Sequence, residues 1–196
     1  MDSELPPRTW GWGKARVYAV GHSTRTAEEL VALLEAHSVR TLVDIRTVPR
    51  SRTNPQFNVD VFPRTLARAG LGHAHLARLG GLRRPRKDSP NAAWRNLSFR
   101  GYADHMLTED FAVGLEELRV LTREGPVALM CAEVLRWRCH RSLVSDALWA
   151  RGVEVRHILS VTRTEPHRLT PFARVHGTQV LYPAEAEGME AMGASP

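Results

Sequence analysis

The feature that most constrains this chain is a strand–helix–strand alternation in its first fifty residues. "RVYAVGHS" (16–23) is an apolar run that ends at a glycine turn. "TAEELVALLEAHS" follows, with Leu30, Leu33 and Leu34 on one helical face, and "RTLVDIRTVP" (40–49) is a second apolar run stopped by Pro49. Thr26 is placed to cap the helix, and Glu29 completes a capping box. Two strands joined by such a crossover run parallel. The alternation continues. "VDVFPRTLARAG" predicts a helix closed by Gly70, "LGHAHLARLGG" a short strand entering a loop, and "RGYADHML" and "EDFAVGLEELRVLTREG" two more helices. "PVALMCAE" (126–133) reads as a strand, "CHRSLVSDALWARG" (139–152) as a helix, "VEVRHILS" (153–160) as a strand, and "HGT" as the turn of a small hairpin. The expected fold class is α/β: a mostly parallel sheet with helices on both faces, a Rossmann-like three-layer arrangement in a single domain over residues 16–183. Residues 1–15 read as a flexible N-terminal extension and 184–196 as a disordered tail rich in Ala, Glu and Gly.

In such sheets a ligand sits beyond the C-terminal ends of the strands. Three polar clusters stand at those ends: "GHS" (21–23), "DIRTVPR" (44–50) and "CAE" (131–133). Burial alone requires no polar residues there, so the three clusters are expected to converge in one cleft. The segment "MCAEVLRWRCHR" adds both cysteines of the chain, a histidine and three arginines within twelve residues. The candidate catalytic residues are therefore His22, Asp44, Cys131, Glu133, Cys139 and His140. Glu133 and Asp44 are candidate general bases, with a simple ion pair to Arg46 or Arg141 as the plainer alternative. The spacing of Cys131 and Cys139 matches neither a zinc knuckle nor the C-x-x-C of disulfide oxidoreductases. Nor does an arginine follow Cys131 at the spacing of a phosphatase-like loop. A buried structural role for Cys131, a redox pair and a functional thiolate at Cys139 all stay open. An anion site of Arg138, His140 and Arg141 at a helix start is preferred, and neither metal nor organic cofactor is called for.

The charge points the same way. Of 27 basic residues all but Lys14 and Lys87 are arginine, which a GC-rich genome or phosphate recognition would each explain. Residues 78–100 carry seven basic side chains against Asp88 alone, a local excess of +6 that equals the net charge of the chain. A pI near 10.1 with a localised basic stretch suits a nucleic-acid binder. The candidate contacts are Ser23, Arg46, Arg50, Arg52, Arg83, Arg84, Arg86, Arg95, Arg100, Arg138 and Arg141 for phosphate, and Asn54, Gln56 and Asn58 for base edges. Phe57, Trp94, Phe99, Tyr102 and Trp137 are the candidate stacking platforms, or else caps of the core. No apolar run approaches the ~20 residues of a membrane span, and the first residues lack an apolar signal core. With only two cysteines, a cytoplasmic protein without membrane contact, and a monomer, is expected.

Taken together, "DIRTVPRSRTNPQFN", "HLARLGG", "WRNLSFRGYADHM", "VALMCAE", "WRCHR" and "HILS…TEPHRLTPFARV" resemble the bacterial family called domain of unknown function 488, over about residues 16–183. The resemblance implies a compact α/β domain whose hallmark is the "CAE…CHR" stretch, carried here by Cys131, Glu133, Cys139, His140 and Arg141. The leading expectation is an enzyme acting on nucleic acid, with DNA favoured. Its concrete form is a glycosylase that releases a modified or damaged base, with Glu133 or Asp44 activating water at the sugar carbon. The alternatives are a small-molecule enzyme using a cysteine nucleophile on a phosphorylated or sulfur-containing substrate, and a non-catalytic nucleic-acid-binding module.

Overall fold

The structure is a computed structural model and describes residues 11–133 and 139–184. Trp137 and Arg138 lie outside the described residues, as do 1–10 and 185–196 of the expected extension and tail. Strand β1 (Val17–Gly21) leads through helix α1 (Ala27–Ala36) to β2 (Thr41–Asp44). After a 3₁₀ turn at Pro55–Phe57, α2 (Phe62–Arg68) and β3 (Gly72–His75) follow. A second 3₁₀ turn (Ala77–Leu79) opens the arginine-rich segment, which ends in α3 (Leu97–His105) and α4 (Glu109–Leu121). Then come β4 (Val127–Cys131), α5 (Arg141–Trp149) and β5 (Val155–Ile158). Short strands β6 (Thr164–Pro166), β7 (Arg174–His176) and β8 (Gln179–Leu181) complete the described fold.

Strands β1 to β6 form one sheet in the order β3-β2-β4-β1-β5-β6, parallel except for the antiparallel edge pair β5–β6. The α/β class read from the sequence is thus the observed one. Strand β4 lies between β1 and β2, in register Gly21 to Cys131 and Asp44 to Met130. This register brings the three polar strand ends to one edge of the sheet. Side chains alternate between faces with the period of two that a strand imposes. Val17, Ala19, Val43, Leu129 and Cys131 join the core under α3, α4 and α5. Val20, Leu42, Ala128 and Met130 join the core under α1 and α2. Helix α1 begins as its sequence dictates: the Thr26 side chain accepts from the Glu29 N–H, and the Glu29 carboxylate accepts from the Thr26 N–H at 2.7 Å.

Three features go beyond the sequence reading. Residues 11–15, taken as part of a flexible extension, are packed onto the body: Trp12 and Ala15 are buried in the core beneath α4. Strand β6 lacked an apolar signature because it is an exposed antiparallel edge. The C-terminal segment is pinned by a polar network centred on buried Asp146 of α5. Asp146 accepts hydrogen bonds from the Tyr182 hydroxyl (2.8 Å), the Thr170 hydroxyl (2.6 Å) and N–H (3.0 Å), and His167 Nε2 (2.8 Å). His167 in turn accepts at Nδ1 from His157 Nε2, 3.1 Å away. Every lone-pair direction of the carboxylate is used, which is how a buried acid becomes tolerable.

Removing that acceptor leaves several buried donors without a partner. Asp146→Ala is expected to lower unfolding stability by about 3 kcal/mol, and Tyr182→Phe by about 1 kcal/mol, both read from urea midpoints at unchanged m-value. Equal, small effects of the two substitutions would contradict the network.

Candidate active site

The cleft at the C-terminal edge of the sheet has a volume of about 520 Å³. His22 enters it from the end of β1, Arg46 from the end of β2, and Cys131 and Glu133 from the end of β4. Cys139 and His140 enter from the start of α5. The expected convergence of three strand ends is therefore realised, and five of the six candidate catalytic residues line one cleft. Asp44 lies directly behind it. The opposite wall is built from the arginine-rich segment: Gly81 and Leu82 from its start, Asn96, Ser98, Phe99 and Tyr102 from its end.

The floor is sulfur. Cys131 is 2% exposed and Cys139 4%, and both are free thiols. Arg141 reaches both: its guanidinium donates to Cys131 Sγ at 3.1 Å, and its backbone N–H donates to Cys139 Sγ at 3.4 Å. Burial alone raises the pKa of Cys131. The hydrogen bond with Cys139, the Arg141 charge and a hydrogen bond with the Glu133 backbone outweigh it and bring the value down to about 7. Cys139 moves the opposite way, well up, chiefly because it gives its hydrogen bond to Cys131 and because it too is buried. Of the two thiols Cys131 therefore ionises first, with Cys139 as the protonated partner.

Two neutral imidazoles flank the sulfurs. His140 is held by Ile45, whose carbonyl lies 3.0 Å from Nε2, so Nε2 carries the proton and Nδ1 is the acceptor. That Nδ1 lies 3.8 Å from Cys139 Sγ. Burial drives the His140 pKa down to about 4, and the Arg141 and Arg83 charges act in the same direction. A Cβ at position 81 would lie 2.9 Å from Nδ1, so the ring packs as it does because residue 81 is glycine. His22 stacks on Phe57 with ring centroids 4.3 Å apart, donates from Nδ1 to the Ser23 carbonyl at 2.8 Å, and is likewise shifted down by burial.

Several candidate residues have structural duties instead. Asp44 forms the ion pair considered for it: both of its carboxylate oxygens receive the Arg46 guanidinium, at 2.6 to 3.1 Å. Arg46 also donates to the Phe57 carbonyl at 2.6 Å, which commits it to the wall of the cleft. Phe57 and Tyr102, candidate stacking platforms, are buried in the core, and the Tyr102 hydroxyl donates to the Leu79 carbonyl at 2.7 Å. Trp94 and Phe99 stack on each other with centroids 4.9 Å apart, Phe99 facing the cleft. Arg141 is buried beneath the cleft and contacts sulfur, where an outward phosphate contact was expected.

Several cations of the arginine-rich segment have partners close by. Arg86 pairs with Asp88, Arg100 donates to the Trp94 and Ala92 carbonyls, and Arg83 to those of Gly80 and Ala77. Buried Asp104 organises the segment, accepting from the Arg86 N–H, the Ser89 hydroxyl and the Asn91 amide at 2.6 to 2.9 Å. Gly101 lets α3 lie against it: a Cβ there would fall 2.4 Å from the Arg83 carbonyl oxygen. Arg84, Arg95 and Arg52 are exposed away from the cleft lining, while Arg50 lines it and pairs loosely with Asp60 at 3.7 Å. Ser23 adopts a left-handed turn (φ 50°), its N–H bonded to the Ala132 carbonyl. Gln56 donates to the Arg25 carbonyl, Asn58 accepts from the Ser51 N–H, and the Asn54 N–H donates to the Ser51 hydroxyl, so these three shape the loop. Thr47 and Val48 line the cleft with the rest of the 44–50 cluster, whereas sequence reasoning missed Ser51, Gly81, Leu82, Asn96 and Ser98 as cleft residues. Only Leu82 had a local oddity, an apolar side chain amid charge. It is 80% exposed, with φ at 57°, a conformation rare outside glycine.

These observations describe a mostly parallel α/β domain that holds a thiol against an arginine at the end of a central strand. The chain belongs to the family described as "Domain of unknown function DUF488", whose model matches residues 26–148 and so includes every cleft residue except His22. No curated protein and no solved structure matches the chain. Among the described residues, no group of three or more His, Cys, Asp and Glu side chains is arranged to hold a metal, and no helix is long and apolar enough to cross a membrane.

The low pKa of His140 fixes the sign of a pH effect. Between its ordinary value of 6.5 and about 4, the unfolded chain takes up a proton that the native site refuses. Stability is therefore fully present above pH 6.5 and is lost as pH falls through 4, with His22 contributing in the same direction. Urea midpoints are expected to drop across that interval, and His140→Gln to flatten the drop. A midpoint that held constant in the wild type would contradict the buried neutral ring.

Proposed function

We propose that this protein is an enzyme in which the Cys131 thiolate attacks an electrophilic phosphorus or sulfur centre of a small substrate seated in the cleft. One observation carries the reading: the Arg141 guanidinium lies 3.1 Å from Cys131 Sγ at the floor of a cleft of about 520 Å³. A thiolate is the nucleophilic form of cysteine, and a fixed neighbouring cation maintains it near neutral pH. Because Cys131 is almost wholly covered, only a narrow end of a substrate reaches it. Arg50 and Ser51 on one side, and Asn96 and Ser98 on the other, offer polar contacts to the substrate's remainder. Val48 and Leu82 offer it an apolar mouth. The carboxylate mechanism loses ground because Asp44 is consumed by Arg46.

The test pairs alkylation with a substrate panel. Iodoacetamide is expected to modify Cys131 first, with a rate that rises through a midpoint at pH about 7. Against aryl phosphates and small disulfides, Cys131→Ser is expected to lower turnover by about a hundredfold or more, and Glu133→Gln by no more than a few-fold. Undiminished turnover in Cys131→Ser would overturn the reading.

Nucleic acid as substrate is a second reading, favoured by the Trp94–Phe99 stack beside the cleft and by Glu133 at its lining. Phe99 would then receive an extruded base and Glu133 would activate water. Base release from duplexes carrying modified bases, abolished by Glu133→Gln and indifferent to Cys131→Ser, would establish it in place of the thiol mechanism.

A further inference from the structure

We infer that Cys131 and Cys139 act as a dithiol couple that reduces a disulfide-bearing substrate, Cys131 taking one substrate sulfur and Cys139 then displacing it. The inference rests on the proposed nucleophile and adds the second sulfur. A phosphoryl group on Cys131 would be discharged by water, and Cys139 would have no part in it. A second thiol has a chemical use when the intermediate is a mixed disulfide. Cys139 is placed for that use. It shares the cleft floor with Cys131, and the same Arg141 contacts both sulfurs, its guanidinium 3.1 Å from Cys131 Sγ and its backbone N–H 3.4 Å from Cys139 Sγ.

The steps balance as follows. Cys131 thiolate attacks one sulfur of R–S–S–R′; the S–S bond breaks and R′–S⁻ leaves with the bonding pair. Cys139 then loses its proton, by way of His140 Nδ1 at 3.8 Å, to the released thiolate. Its sulfur attacks Cys131 Sγ, closing the Cys131–Cys139 bond and expelling R–S⁻. The substrate gains two electrons and the protein loses them; an external dithiol reductant returns the couple to its starting state.

The site also contains a reason for the order of events. What holds Cys139 protonated is above all its hydrogen bond to Cys131, with burial and the Cys131 charge adding to it, whereas Arg141 works the other way. Once Cys131 is tied up in a mixed disulfide its charge is gone. The hydrogen bond to a thiolate and the repulsion from it both vanish, while Arg141 stays. Capture of substrate by the first thiol thereby removes two of the three influences that hold the second protonated, and burial remains.

The experiment uses the reduced full-length chain, hydroxyethyl disulfide as probe, and intact mass with peptide mapping as readout. Wild type is expected to end as the Cys131–Cys139 disulfide, lighter by the two thiol hydrogens, with the probe released as free thiol. Cys139→Ser is expected to stop at a mixed disulfide on Cys131, and Cys131→Ser to react at least about tenfold more slowly. If wild type instead accumulates the same lasting mixed disulfide as Cys139→Ser, the couple is overturned while the Cys131 nucleophile stands. If neither wild type nor Cys139→Ser gains an adduct on Cys131 while the urea-unfolded chain does, both readings fall. The wild-type arm decides the couple without relying on any variant to fold.

Discussion

A guanidinium cannot shed its proton inside a protein, so a buried one dictates what surrounds it. Arg141 is 2% exposed and lies at the first turn of α5, pointing beneath the end of β4. Its contact sets Cys131 apart from a sulfur in an apolar setting, which would be an inert small side chain. Interaction with Cys139 and the Arg141 charge draw the Cys131 thiol down, while interaction with Cys131 and burial push the Cys139 thiol up.

Holding a charge at a fixed place needs a rigid element, and α5 is anchored from its other face. Asp146, five residues beyond Arg141 on the same helix, gathers Tyr182, Thr170 and His167 from the C-terminal segment. Tyr182 is itself fastened through its N–H to Asn91, and Asn91 to Asp104, so the helix and the arginine-rich wall belong to one polar framework. The two carboxylates therefore act on the cleft at a distance. Asp146 fixes the helix that carries Arg141, and Asp104 fixes the segment that supplies Gly81, Leu82 and Phe99 to the facing wall.

Much of the scaffold was legible along the chain because its signals are local. The capping box at Thr26, the apolar runs at 17–21 and 127–131 and the polar residues after each strand need only neighbours in sequence to be recognised. The site was legible in outline for the same reason: parallel strands put their C-terminal ends on one edge, so His22, Arg46 and Cys131 had to approach one another. Partner choice was not legible. Whether Asp44 is a base or a clamp depends on the reach of Arg46, and whether Phe57 and Tyr102 stack on a ligand or fill the core depends on which side of the loop faces the sheet. Nor were the carbonyl partners of Arg83 and Arg100 legible, because a charge count does not register them.

By itself the sequence determined an α/β fold with a parallel sheet, the position of its polar strand ends and the presence of two thiols near basic residues, since periodicity and spacing are properties of the chain. Folding alone set which arginine faces the sulfur, which carboxylate is ion-paired and which thiol is drawn down in pKa. Those outcomes depend on through-space distances of a few ångströms and on exclusion of water, and both arise only when segments far apart in the chain are folded against each other.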